Sequence, residues 1–298
     1  MDDYQTSRNK VFAQYAQKHF KGIEIGPSYR PTFPKVDGYS VTVVDHCNTA
    51  DLIAKYKADI TIPDELVAQI ETVDVVWSGN SYKDLPGLAG YADYVAACHV
   101  IEHATDVCGF LKDCASLLKP GGRLLLAIPD RACILDFYRP LSTLGDVLLA
   151  HVAPHAYDLK SRMDEAWYGS LLDGGGAWGS AHYKGATAAG RVPLPQHAAA
   201  FGMHVWASNT AQPFDNSADR PYRDAHRWVF DSVSFSEIAL FLELNAGTGL
   251  HVESMPGTFG CEFYAVLRKV SEPVVSVAIL ESQRVVALRS RLGAVFQG

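Results

Sequence analysis

Between residues 22 and 131 the chain alternates in a way that leaves few folds open. Apolar runs occur at Gly22–Gly26, Ser40–Asp45, Val73–Trp77, Ala92–Cys98 and Arg123–Ile128, each followed by proline or a polar residue. Helical spacing or turn chemistry fills the stretches between them. Strands that are apolar along nearly their whole length have no solvent face. Alternation with helices therefore predicts an α/β fold: a mostly parallel sheet with helices on both faces.

The helical signals are specific. Val11, Phe12, Tyr15, Ala16 and His19 recur at three- and four-residue spacing and predict a helix over 5–20, and Leu52–Lys57 reads as another. Phe110, Leu111, Cys114, Leu117 and Leu118 give Val107–Lys119 one apolar face, stopped by Pro120-Gly121-Gly122. Ser234 with Glu237 three residues on forms a capping-box pattern that opens a helix over Ser234–Leu244. Strands at Leu250–Met255 and Glu262–Leu267 flank Pro256–Gly260, which predicts an antiparallel C-terminal hairpin at the sheet edge. Val285, Leu288, Leu292 and Val295 stripe a last helix over Val277–Phe296.

Residues 132–225 break the alternation with a mix of aromatic, His, Gly and Pro residues, and only Leu144–Ala150 and Lys160–Leu172 read as helical. The Gly174–Gly176 run lacks the Lys-Ser/Thr of a phosphate loop and reads as a flexible loop. The expected organisation is one α/β domain from 1–131 and 226–270, an insertion or lid at 132–225, and a helical tail at 271–298.

Composition excludes several functions. A formal charge of −7 over 298 residues argues against a nucleic-acid partner, whose phosphates demand clustered Lys and Arg. No apolar run is long enough for a transmembrane segment, and Met1-Asp2-Asp3-Tyr4 does not open a signal peptide. The six cysteines form no CxxC pair, which fits a reduced, cytoplasmic protein.

In open α/β sheets ligands bind beyond the carboxyl ends of the strands. Those ends carry Glu24 and Gly26, Asp45 and His46, Ser78 and Gly79, His99 with Glu102 and His103, and Asp130 with Arg131. An acid ending the second strand can accept both hydroxyls of a ribose. His99-Val100-Ile101-Glu102-His103 is also a literal H-x-x-E-H, the inverted zinc-protease motif. That motif needs a helix to project both imidazoles to one ion, whereas the segment before it reads as a strand. The zinc-hydrolase reading is thus the weaker one. His151, His155, His182, His197, His204 and His226 are irregularly spaced, and no resident metal is expected.

The stretches Ile23-Glu24-Ile25-Gly26-Pro27, Val41–His46, Ala96–His103, Leu117–Leu124 and Ile128-Pro129-Asp130 carry a resemblance. The chain resembles the class I S-adenosylmethionine-dependent methyltransferases, and among them the small-molecule group associated with sugars and polysaccharide biosynthesis. The resemblance implies a Rossmann-like seven-stranded sheet and S-adenosyl-L-methionine as cofactor. It places Glu24 near the methionine amino group, with Gly26 and Pro27 beside it. Asp45 and its neighbour His46 fall at the ribose, Ser78 and Gly79 at the adenine, and Cys98 and His99 at the sulfonium. One departure stands out: the glycine-rich turn after the first strand is replaced by Pro27-Ser28-Tyr29-Arg30-Pro31. Either this loop binds the cofactor by another path, or affinity is reduced.

The expected reaction is methyl transfer to a small hydroxylated acceptor, such as a sugar or nucleotide-linked sugar, as an O-methyltransferase. A hydroxyl acceptor benefits from a base titrating near neutrality, so His99 is the first catalytic candidate and His103 the second, with Asp130 orienting the acceptor. The competing reading is a methyltransferase-like binding or scaffolding protein with a degenerate cofactor loop. The tail helix is expected to pack on the domain or to form a homodimer.

Overall fold

A computed structural model describes residues 4–134, 136, 139–168 and 225–296. Helix α1 (Tyr4–Phe12) leads into β1 (Lys21–Ile25), β2 (Ser40–Asp45), α2 (Thr49–Lys57), the short α3 (Asp64–Val67) and β3 (Val75–Val76). Next come β4 (Ala92–Cys98), α4 (Val107–Leu117) and β5 (Leu118–Pro129). After α5 (Leu144–Val152) and α6 (Pro154–Tyr168), the described chain resumes and runs into α7 (Ser232–Ala246), β6 (Leu250–Phe259), β7 (Glu262–Lys269) and α8 (Val277–Phe296).

The sheet has seven strands in the order β3-β2-β1-β4-β5-β7-β6. The first five are parallel, β7 runs antiparallel to β5, and β6 antiparallel to β7. The expected fold class is therefore what the chain adopts.

Period-two alternation splits the core between the two faces. Val95, Ala97, Leu124, Leu126 and Ala265 join one buried cluster with Phe110 and Leu111 of α4 and Phe235 and Ile238 of α7. Their neighbours Tyr94, Ala96, Leu125, Ala127 and Val266 join the other, with Phe12, Ala16 and Phe33. On β1 the same alternation sends Ile23 and Ile25 to the first cluster. Gly22 is left facing Tyr94, where a Cβ would stand 2.2 Å from the ring.

Several boundaries differ from the sequence reading. The helix expected over 5–20 ends at Phe12, although Ala16 still donates to the Phe12 carbonyl and stays buried. The cap of α7 is Asp231, with Ser234 as its reciprocal partner, so the capping box lies one turn earlier than expected. Pro256–Gly260 is not the hairpin turn. Strand β6 continues to Phe259 through two register shifts, and the connection is Gly260-Cys261. An edge strand tolerates this proline because its irregular register spares a ladder donor. The helix read at Lys160–Leu172 begins earlier, at Pro154. Its later residues, Gly174–Gly176, His182, His197 and His204 lie outside the described residues.

Candidate active site

The carboxyl rim is built by backbone geometry first. Strand β1 is followed by Gly26, whose φ of +62° precedes a second left-handed residue, Ser28 at +54°. These two positions turn the chain back over the rim instead of into a helix. A Cβ at residue 26 would meet the Val100 side chain at 3.1 Å, so glycine serves both the turn and the close approach. Ser28 then donates its N–H to Asp45 Oδ2 at 3.3 Å, which ties the β1 loop to the end of β2.

Asp45 is buried, and its other oxygen accepts both the N–H of His46 (2.7 Å) and its ring Nδ1 (2.6 Å). Glu24 is fully buried on β1, and its carboxylate accepts the Thr32 N–H at 2.7 Å and the Phe33 N–H at 3.3 Å. Burial pushes the Glu24 carboxyl above its usual range, against the pull of those two donors. The proline-rich loop is thus fastened by the acid it covers. Thr32 Oγ1 also lies 3.4 Å from Cys98 Sγ, and burial raises that thiol to about 11. Cys98 is therefore a neutral thiol at the rim.

His99 is a third left-handed residue, at φ +55°, and its N–H is held by the Ala127 carbonyl of β5. Its Nε2 lies 2.6 Å from Glu262 Oε2, and its Nδ1 lies 3.6 Å from Glu102 Oε1. Glu262 is fully buried and also takes a two-point contact from Arg8 of α1, at 3.0 and 2.5 Å. Burial would raise the Glu262 carboxyl, but His99 and Arg8 outweigh it and hold the group below its usual range. An ionised carboxylate only accepts hydrogen bonds, so Nε2 is the nitrogen that donates to Glu262, and Nδ1 is left on the other side of the ring.

The remaining candidates fall elsewhere. Ser78 and Gly79 sit on an exposed loop after β3, where the Trp77 N–H donates to the Asp45 carbonyl at 2.7 Å. Asp130 is buried and engaged by neighbours: Oδ1 accepts the Ala132 N–H at 2.9 Å, and Oδ2 the Thr258 hydroxyl at 2.6 Å. The H-x-x-E-H stretch forms no α-helix. Ile101–His103 is a short 3₁₀ turn, and His99 points to Glu262.

Arg8, Thr32 and Glu262 were not singled out by the strand-end reading. Glu262 had a signal: an antiparallel strand begins where its parallel neighbour ends, and Glu262 opens β7 opposite Pro129. Arg8 had none.

Residues 8–183 match the family described as a methyltransferase domain. The chain belongs to that family. The methyltransferase domain covers β1 to β5, and with it the class I S-adenosylmethionine-dependent resemblance is borne out. The chain is similar in structure to an S-adenosylmethionine-dependent methyltransferase from Aquifex aeolicus. The two share 11% identity at a TM-score of 0.42, over 89% of this chain and 90% of that one. It is also similar to one from Methanosarcina mazei, with 13% identity at a TM-score of 0.41, over 88% and 98%. No curated protein matches it.

The residues of this methyltransferase domain fit the family's cofactor, S-adenosylmethionine. At the rim a buried Asp45 carboxylate, a Gly26 without Cβ and the Ser28 hydroxyl come together. That hydroxyl is buried and has no hydrogen-bond partner among the described residues.

Proposed function

We propose that the protein transfers a methyl group from S-adenosylmethionine to a small hydroxylated acceptor, of the sugar or nucleotide-linked sugar class. The observation that carries the acceptor chemistry is the 2.6 Å contact between His99 Nε2 and buried Glu262 at the end of β4. S-adenosylmethionine supplies a methyl group made electrophilic by its sulfonium.

The chain's own residues would do the rest. Asp45 would accept the ribose hydroxyls, Gly26 and Pro27 would let the backbone approach the amino-acid end, and the loop at Ser78 and Gly79 would border the base. Glu262 holds the His99 ring by Nε2 and leaves Nδ1 to take the proton from an acceptor hydroxyl. Alignment of acceptor and donor supplies most of the acceleration for a displacement of this kind. Residues 132–225 are assigned to acceptor binding. The protein's charge of −7 supports a small acceptor over a nucleic acid. Among the described residues no helix is long and apolar enough to cross a membrane. Half-exposed Val277, Ile279, Val285 and Val286 along α8 support a dimer through that helix.

One observation favours the scaffolding alternative. The loop backbone already satisfies both Glu24 oxygens, so the acid that would face the methionine amino group is engaged. Calorimetric titration with S-adenosylmethionine separates the two readings. Saturable binding, with label passing from methyl-labelled donor to a sugar acceptor, is expected. A folded protein that binds no donor overturns the enzymatic reading.

A further inference from the structure

A second constellation lies just beyond the end of β4, apart from the turn of Gly26 and Ser28. Glu102 is 1% exposed, and neither of its carboxylate oxygens has a hydrogen-bond partner among the described residues. A buried carboxylate with no hydrogen bond is among the costliest groups a protein can hold, and it persists where a cation compensates it.

Imidazoles surround it. His103 Nε2 stands 3.8 Å from Glu102 Oε1. One ligand atom each from Glu102, His103 and His226 lie within 4.8 Å of one another. The two rings are nearly perpendicular, at 83° with centroids 4.9 Å apart.

Both rings are oriented from behind. His103 Nδ1 lies 3.2 Å from the Ala225 carbonyl, and His226 Nδ1 lies 2.5 Å from Asp136 Oδ2. Asp136 is fixed in turn by Arg139, whose NH1 donates to its other oxygen at 2.6 Å and to the His226 carbonyl at 2.7 Å. The Glu102 carbonyl accepts the N–H groups of Arg227 and Trp228, which anchors the segment bearing His226 to the turn bearing Glu102. A ring nitrogen held by a carboxylate or a carbonyl, with the other turned to a shared point, is the supporting pattern of metal-binding histidines.

We propose that Glu102, His103 and His226 bind a divalent transition-metal ion of the zinc class. Two imidazole nitrogens and one carboxylate suit such an ion and are a poor set for magnesium or calcium. Ligands about 2 Å from a tetrahedral zinc stand roughly 3.3 Å apart, so the cluster closes by about 1.5 Å at its widest when the ion enters. This set differs from the H-x-x-E-H reading. His99 is committed to Glu262, and the third ligand arrives from a distant segment. The ion would lie beside His99, whose Nδ1 is 3.6 Å from the same Glu102 carboxylate. The proposal stands independently of methyl transfer.

The test is calorimetric titration of the metal-stripped, full-length protein with Zn²⁺ near neutral pH, followed by metal analysis after gel filtration. Stoichiometric zinc is expected. Glu102→Gln, near in shape to the native residue, and His103→Ala should each weaken zinc binding by well over tenfold, and Asp136→Asn by about tenfold through the orientation of His226. Circular dichroism establishes that each variant is folded, and if His103→Ala is not, Glu102→Gln decides. A folded protein that retains no zinc overturns the proposal. So does zinc bound with equal affinity by the wild type and Glu102→Gln.

Discussion

His99 and Glu262, 163 positions apart in the chain, meet through a 2.6 Å contact between Nε2 and a carboxylate oxygen that Arg8 grips from the other side. The contact joins the end of a parallel strand to the start of an antiparallel one. It sets which nitrogen of the histidine faces the carboxylate.

Glu262→Gln should therefore lower kcat by about 10²-fold while leaving S-adenosylmethionine affinity nearly unchanged, because the ring loses its tautomer and orientation. Steady-state kinetics with a separate binding titration reads this split. The same change removes the carboxylate that takes the two-point contact from buried Arg8, with an expected loss of about 3 kcal/mol in urea unfolding. The pH dependence has a definite sign. The folded Glu262 carboxyl is held below its ordinary 4.5, so its stabilisation is present above that pH and is lost as pH falls through the lower folded value. The gap between wild type and variant should narrow in acid.

Asp45→Ala should weaken S-adenosylmethionine binding by about 30-fold, which corresponds to roughly 2 kcal/mol from hydrogen bonds to a charged acceptor. The fold should survive, since Asp45 serves mainly the Ser28 and His46 groups at the rim. Unchanged affinity in calorimetry would remove Asp45 from the cofactor site.

Glu24 behaves oppositely to Glu262 with pH. Its folded carboxyl is raised above 4.5 by burial, so its ionisation costs stability as pH rises from that value. Wild type should lose ground to Glu24→Gln between acid and neutral pH. Thermal melts of both proteins across that window check the sign, and a difference independent of pH would contradict it.

Gly22→Ala should destabilise the protein by about 3 kcal/mol, because the new Cβ falls 2.2 Å from Cζ of Tyr94, a fully buried ring with no room to retreat. Denaturant midpoints measure it. A loss below about 1 kcal/mol would mean that the ring relocates.

The repeating strands at Gly22–Gly26, Ser40–Asp45 and Ala92–Cys98 were readable because burial on both faces imposes apolar residues on consecutive positions. For the same reason Asp45 and His99 stood out as polar residues at strand ends. Boundaries were less legible where side chains compete for one role: Asp231 outranks Ser234 as the cap of α7, and Pro256 is absorbed by a register shift. The site was legible on the parallel strands only. Arg8 reaches Glu262 from a helix whose placement no local pattern encodes.

Sequence alone determined the layered α/β architecture and the rim of polar strand ends, because hydrophobic periodicity is a local consequence of burial. Tertiary structure decided which polar groups meet: His99 and Arg8 at Glu262, and Glu102 with His103 and His226. Those pairings follow from strand direction and from the return of residues 225–230 past the Glu102 turn to the residue just beyond β5. They are long-range distances, and local spacing carries no record of them.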